Sequence, residues 1–411
     1  MKILYVTQYY APESIAAAFR AKAHASAWAK RGHKITVFTA WPSHPKGVLF
    51  PGYSMSKLAH ESEDGVDIYR SKLKINQDPS FRKRAETGIS FLHNGLINLT
   101  KDDHLKCTDF DVVLASSGTI FAGLLGAEYA RRASLPLVVE FRDLAFDQIA
   151  ASQHNSGSWK VRIMRMLELR LAKQADRIVV LTQGFKKRLC EYGINENKVD
   201  VVYNGVDPVE CNHPREETLQ GKIRFGYFGT IGISQDVIRT INILDSLKEE
   251  IEVAYSIIGD GACFDQTKRF LEAHKHSCAT LMPGISSEDL EKHYESIDMT
   301  VVSLQHSPSF SSTIPSKIFQ SFARGIPVLF IGPKGEASSI IEEGNAGIVL
   351  TDDDSKSKEI LRKFFRRDDW ERQIHTMAHN AKQLSKSKFS RSSQAKKMIE
   401  ILESTAAGRV M

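Results

Sequence analysis

Two doubly wound α/β domains, each on a mainly parallel sheet, are the fold this sequence predicts. Three observations carry that expectation. At 411 residues the chain is too long for one ordinary core. Short β-branched runs alternate with longer helical patterns through the first two hundred residues, as crossover helices between parallel strands require. The alternation then stops over residues 208–221, a stretch of Pro, Asn and Glu without periodicity, and restarts with a new strand.

In chain order, residues 2–7, 34–39, 66–70, 112–115, 137–140, 178–181 and 199–202 read as strands of the first half. Residues 15–30, 81–98, 120–132, 159–174 and 183–192 carry helical periodicity, and Gly32 suits the stop after the first helix. The second half offers strands at 223–228, 253–258, 300–304, 328–331 and 347–350, with helices at 236–249, 265–276, 287–296 and 337–343. From Asp368 onward the basic, polar tail reads as two amphipathic helices. Two strand-first units joined by a linker predict two sheets facing across a cleft.

The composition, 42% hydrophobic and 25% charged, is that of a globular protein. A net charge of +6 is too modest to indicate nucleic acid, and suits an anionic substrate or membrane face. Five cysteines without a Cys-x-x-Cys pair suggest a reducing compartment and no zinc module. The apolar run at 3–6 is too short for a signal peptide, and nothing approaches the roughly 20 apolar residues of a membrane span. A cytoplasmic location is expected.

The richest chemistry lies in Ser311-Ser312-Thr313-Ile314-Pro315-Ser316-Lys317-Ile318-Phe319-Gln320, which reads as a loop entering a helix of about three turns. Pro315 suits the first turn, and the free N–H groups of Ser316 and Lys317, with the helix dipole and the lysine charge, would attract phosphate. The plain alternative is a buried amphipathic helix with one snorkelling lysine. Gly229 and Gly232 follow a strand and precede a helix, where glycine lets backbone approach a ligand. Gly259-Asp260-Gly261 closes the next strand without the full dinucleotide fingerprint, so no NAD site is expected. Glu140, Arg142 and Asp143 follow a buried strand, either as site lining or as an Arg–Asp pair pinning a loop. Asp352–Asp354 precede a helix and read as capping residues rather than metal ligands, and His274, His276 and Cys278 straddle a helix end and a strand start. Phe81-Arg82-Lys83-Arg84 opens a helix whose apolar stripe suits either the core or an anionic bilayer surface.

The segment from Thr313 to Val328 resembles the donor-site motif of the retaining glycosyltransferases of family 4, nearest the bacterial fucosamine and colanic-acid type polysaccharide transferases. Six other segments match that family in order: 1–13, 140–144, 175–182, 203–207, 228–232 and 258–261. The resemblance implies the GT-B fold, with an acceptor domain at 1–207, the linker at 208–221, a nucleotide-sugar domain at 222–384 and a last helix, 385–411, packing back on the first domain. It implies transfer of a hexose or N-acetylated aminosugar, with retention of configuration, from a UDP or GDP sugar to a polyprenyl-diphosphate-linked glycan in surface polysaccharide assembly. No cofactor or metal is expected, and the inner face of the plasma membrane is the expected workplace.

Carried over by position, Gly229, Thr230, Gly259, Asp260, Gly284, Ile285, Thr313, Ser316, Lys317 and Gln320 would bind the donor, and Gln235 matches a recurrent Gln. Asp143 and Lys317 would be catalytic. Glu13, Arg20, His44, Glu140 and Arg142 would lie on the acceptor side. Two departures stand out: Gln320 occupies a position usually Glu, and Ala145-Phe146-Asp147-Gln148 replaces the family's Trp-Pro-Glu-Ser. A nucleotide-sugar epimerase of similar fold and a non-catalytic scaffold subunit are the rival readings.

Overall fold

The computed structural model describes every residue except 45, 79, 104, 106–109, 154–156, 208, 210–218, 220, 308, 309, 352 and 409–411, and leaves aside the side chains of 81, 151–153 and 287. Most of the 208–221 stretch, Asp352, Cys107 and Cys211 therefore lie outside the described residues. The chain divides into two compact units, 1–204 with 391–411, and 205–390.

The first unit runs β1 (Lys2–Val6), α1 (Ala16–Ala29), β2 (Lys34–Ala40), β3 (Leu58–Glu63), β4 (Val66–Ser71), α2 (Phe81–Lys101), β5 (Val112–Ser117), α3 (Ile120–Ala133), β6 (Leu137–Phe141), α4 (Ala145–Gln153), α5 (Trp159–Gln174), β7 (Arg177–Val180), α6 (Gln183–Glu191) and β8 (Val199–Val201). The sheet order is β3-β4-β2-β1-β5-β6-β7-β8, parallel except for β3. Every residue of β5 and β6 is buried, because helices cover both faces of a parallel sheet. Two segments of this unit are missing from the sequence reading. Four of the six residues of β3 are exposed, so no alternation marks it. The short α4 depends on a distant carboxylate, as described below.

The second unit runs β9 (Lys222–Phe228), α7 (Val237–Asp245), β10 (Glu252–Ile258), α8 (Phe264–Ala273), β11 (Ala279–Met282), α9 (Ser287–Glu295), β12 (Met299–Ser303), α10 (Ser316–Ala323), β13 (Val328–Ile331), α11 (Glu336–Glu343), β14 (Gly347–Leu350), α12 (Asp354–Phe365) and α13 (Trp370–Ser387). Its all-parallel order, β11-β10-β9-β12-β13-β14, is the doubly wound one in which the chain reverses direction between the first and fourth strands, here β9 and β12. Helix α10 has eight residues, about two turns rather than three, and Pro315 stands just outside it as the cap residue, its ψ of 131° being extended. Asp353 accepts a hydrogen bond from the Lys356 N–H at 3.0 Å, capping α12 as the sequence suggests.

Helix α14 (Arg391–Ala407) belongs to the first unit. Its Met398, Ile399 and Leu402 join Ala21, Ala25 and Trp28 of α1 in one buried cluster, and the Trp28 indole donates to the Ala395 carbonyl at 2.8 Å.

Candidate functional site

In the second unit the C-terminal ends of β9 and β12 flank the reversal point, where a crevice opens in doubly wound sheets. Gly229 leaves β9 with φ +124°, a region L side chains avoid. A Cβ there would sit 2.9 Å from Lys317 Cε and 3.3 Å from its Nζ, so the lysine of α10 lies directly on the glycine backbone. The ammonium also stands 3.8 Å from the centre of the Tyr227 ring. Burial pushes Lys317 down to about 8. Ser316 and Lys317 supply the opening N–H groups of α10, which no side chain caps, while the Ile318 N–H donates to the Pro315 carbonyl at 3.1 Å. A half-desolvated cation and the opening N–H groups of a helix therefore share one spot.

Two neighbouring loops are pressed against this one. Gly229 N–H donates to Ile258 at 2.8 Å and Ile231 N–H to Asp260 at 2.8 Å. A Cβ on Gly259 would lie 1.8 Å from the Gly229 oxygen, so only glycine permits the approach. Asp260 is exposed, and its carboxylate reaches within 2.2 Å of where a Gly284 Cβ would be. Thr230 is exposed and its carbonyl accepts from the Tyr227 hydroxyl. Ile285 is exposed too, while Thr313 closes the loop before α10 by donating its N–H to Phe310. Ser316 and Gln320 show exposed side chains on α10, Gln320 three residues beyond Lys317 and so on a neighbouring face. Gln235 turns back toward Gly232, where its Oε1 would be 2.8 Å from an added Cβ.

The first unit holds a different arrangement. Glu140, at the end of β6, is fully buried, and each carboxylate oxygen is engaged: Arg20 Nε donates to one at 2.8 Å and Ser116 Oγ to the other at 2.7 Å. Arg20 continues to the carbonyls of Val202, at 3.0 Å, and Tyr203. Burial pushes the Glu140 carboxyl up, but the Arg20 and Arg142 guanidiniums outweigh it and hold the group down at about 2. The pinning pair is thus Arg20–Glu140, not Arg142–Asp143. Arg142 is buried as well and donates to Asn204 Oδ1 at 3.4 Å. Asp143 is exposed; partial desolvation raises its carboxyl, opposed by Arg142 and by a hydrogen bond from Gln148. Glu13 is buried and accepts the N–H groups of Ser43 and His44 at 2.9 and 2.8 Å, which fixes the turn bearing His44. Burial and Arg84 keep the His44 imidazole below the usual histidine value. Arg20, Glu140 and Glu13 thus direct their polar atoms inward, while Asp143 faces solvent.

Glu168 of α5 was not anticipated. It is buried, and its oxygens accept the N–H groups of Ala145 at 3.0 Å and Phe146 at 3.1 Å, the first turn of α4 immediately after Asp143. Burial pushes this carboxyl up to about 7, the backbone bonds opposing and Asp147 and Asp143 adding to the rise. A pKa raised on folding means the native state holds the extra proton between about 4.5 and 7, so stability falls as pH rises through that window. Thermal melts from pH 5 to 8 are expected to show that decline, and Glu168→Gln is expected to flatten it. An identical slope in the variant would contradict the assignment.

The remaining sequence candidates have other engagements. His274 is exposed, stacks on Phe270 and contacts its carbonyl, while the Cys278 N–H donates to Asp245. Among the described residues no group of three metal-ligating side chains converges. Phe91 and Leu99 of α2 are core residues, while Ile89 and Ile97 stay outside.

Residues 18–210 match the family model described as Glycosyltransferase Family 4, and residues 210–403 the one described as Glycosyl transferases group 1. The chain belongs to these glycosyltransferases. Its fold is that of GT-B glycosyltransferases. Sucrose-phosphate synthase from Thermosynechococcus elongatus superposes with a TM-score of 0.67 at 14% identity, covering 99% of this chain and 100% of that one. WaaG, a glycosyltransferase involved in lipopolysaccharide biosynthesis, gives 0.62 at 15% identity over 97% and 99% of the two chains. Anabaena HepE, solved in complex with UDP and glucose, gives 0.60 at 16% identity over 98% and 100%. No curated protein matches the sequence. Among the described residues of this glycosyltransferase no helix is long and apolar enough to cross a membrane.

Proposed function

We propose that the protein transfers a hexose or N-acetylated aminosugar from a nucleoside diphosphate sugar to a lipid-linked glycan, with retention of configuration, in surface polysaccharide assembly. The observation that carries the donor half is Lys317, held against Gly229 and Tyr227 where the second sheet reverses. A partly desolvated ammonium beside the opening N–H groups of a helix is built to receive a diphosphate and to stabilise it as it leaves. Neighbours crystallised with UDP and UDP-glucose favour a uridine donor. Asp260, Gly284 and Ile285 would border the base, and Thr230, Thr313, Ser316 and Gln320 the sugar and ribose. Asp143, the exposed carboxylate of the first unit's triplet, would meet the acceptor or the transferred sugar; Arg142, Glu140, Arg20, Glu13 and His44 would support that side.

The test is a transfer assay with UDP and GDP sugars on a polyprenyl-diphosphate-linked acceptor. Product with the donor's anomeric configuration is expected, and activity is expected to survive EDTA, since charge on the leaving diphosphate is met by Lys317 and backbone donors. Loss in EDTA with rescue by magnesium or manganese would contradict that. Sugar nucleotide consumed without an acceptor would point instead to an epimerase.

Gln320 supplies a second check. Its side chain is exposed, so a carboxylate placed there carries little desolvation cost. Charge-assisted hydrogen bonds to ribose hydroxyls are about twice as strong as neutral ones. Gln320→Glu is therefore expected to tighten UDP-sugar binding by up to about tenfold with an unchanged melting temperature. Unimproved affinity would remove Gln320 from the ribose.

A further inference from the structure

Buried carboxyls differ in what they meet. Glu140 and Asp298 meet arginines, whereas Glu168 of α5 accepts from backbone with each oxygen, from Ala145 at 3.0 Å and from Phe146 at 3.1 Å. A helix start is ordinarily capped by the side chain just in front of it. Here that residue is Leu144, apolar and buried, and the cap comes from another helix, 23 residues beyond Ala145. Helix α4 has other anchors. The Phe146 ring packs edge-on against Tyr192 at 5.4 Å, and Asp147 accepts twice from Arg188 of α6, each time at 3.0 Å. Those contacts hold the body of the helix, while Glu168 holds the two peptide planes that follow Leu144.

Asp143 depends on that opening turn twice. Its backbone runs through Leu144 into Ala145, and its carboxylate accepts a hydrogen bond from Gln148, one turn into α4. The family's Trp-Pro-Glu-Ser puts proline at the place of Phe146, and proline has no N–H to donate, so the second bond to Glu168 is a feature of this chain. We propose that Glu168 is the positioning residue for Asp143: by fixing the opening turn of α4, it sets where the Asp143 carboxylate stands when the sugar is transferred. Being buried, Glu168 acts through the turn and not on the substrate. The proposal rests on the reading of Asp143 as the carboxylate that meets the acceptor or the transferred sugar. A misplacement of about 1 Å at a reacting group can cost about a hundredfold in rate, so the consequence is kinetic.

Two substitutions grade the hold. Glu168→Gln keeps the shape and one acceptor oxygen, and Glu168→Leu keeps the bulk and accepts nothing. In the transfer assay with UDP and GDP sugars on a polyprenyl-diphosphate-linked acceptor, kcat is expected to fall about tenfold in the first and about a hundredfold in the second. KM for the donor and affinity for UDP should stay put, since the donor half rests on Lys317. Hydrogen exchange over residues 143–150 is expected to quicken in the same order. Melting temperatures are not expected to follow it, because leucine strands two N–H groups but also removes a carboxyl that burial disfavours. Arg188→Ala, which frees Asp147, is the structural comparison: it should lower the melting temperature and leave kcat near that of the unaltered protein. Asp143→Asn is measured alongside. Full activity in that variant overturns the reading of Asp143 and the proposal with it. An inactive Asp143→Asn beside a fully active Glu168→Leu overturns the positioning role alone, as does a loss of kcat that tracks melting temperature across the Gln, Leu and Arg188 variants. No transfer by the unaltered protein sinks the transferase reading and this proposal together.

Discussion

Lys317→Ala is expected to weaken UDP binding roughly ten- to a hundredfold, the loss of one charge-assisted hydrogen bond worth about 1.5–3 kcal/mol. The melting temperature should barely move. Removing the side chain forfeits a cation–π contact with Tyr227 but also relieves the desolvation of a buried ammonium, and the two oppose each other. The affinity of the unaltered protein should carry a pH signature. With Lys317 at about 8 in the free protein, binding of a diphosphate raises that value and takes up a proton. Affinity is therefore expected to decline above pH 8, and Lys317→Ala should erase the decline. Titration calorimetry with UDP and GDP at pH 7 and 9 measures both effects. An affinity unchanged by the substitution would sink the donor-site assignment.

Arg20→Ala is expected to destabilise the first unit by about 3–5 kcal/mol, the usual result of stranding one member of a buried pair. The fully buried Glu140 would lose its closest cation, and the carbonyls of Val202 and Tyr203 would lose a donor. Melting curves should show a fall of about 10 °C or more. Replacing both partners together, Arg20→Met with Glu140→Leu, should recover part of the loss, because no charge then remains buried. The same pair sets acid sensitivity. Glu140 is held down near 2 in the folded state, so its contribution is complete above the unfolded value of about 4.5 and disappears as pH falls toward 2. Equal melting of Arg20→Ala and the unaltered protein would mean that the pair holds nothing together.

The doubly wound architecture was legible because its signal is local and repeated: apolar runs such as 112–115 and 328–331 can only be buried strands between helices. Lys317 was legible because proline, serine and lysine at a helix start have a direct electrostatic meaning, even though the helix proved shorter. What stayed hidden depends on partners far along the chain. Glu140 reads as site lining until Arg20, 120 residues earlier, is seen to claim it. Glu168 looks like an ordinary helix charge until the first N–H groups of α4 are found on its oxygens. The edge strand β3 has mostly exposed side chains, so burial wrote no pattern into its sequence.

The order of synthesis acquires a meaning from α14. The first unit is interrupted after residue 204 and resumes only at 391, so the whole second unit is inserted within it. On an emerging chain, Trp28 must wait for the Ala395 carbonyl, and Ala21 and Ala25 for Met398 and Leu402. The first unit thus stays open-sided until residues 391–407 have cleared the ribosome, whereas the second can close as soon as 390 emerges. A nonsense or frameshift change shortly before residue 391 would therefore damage the part of the protein made first.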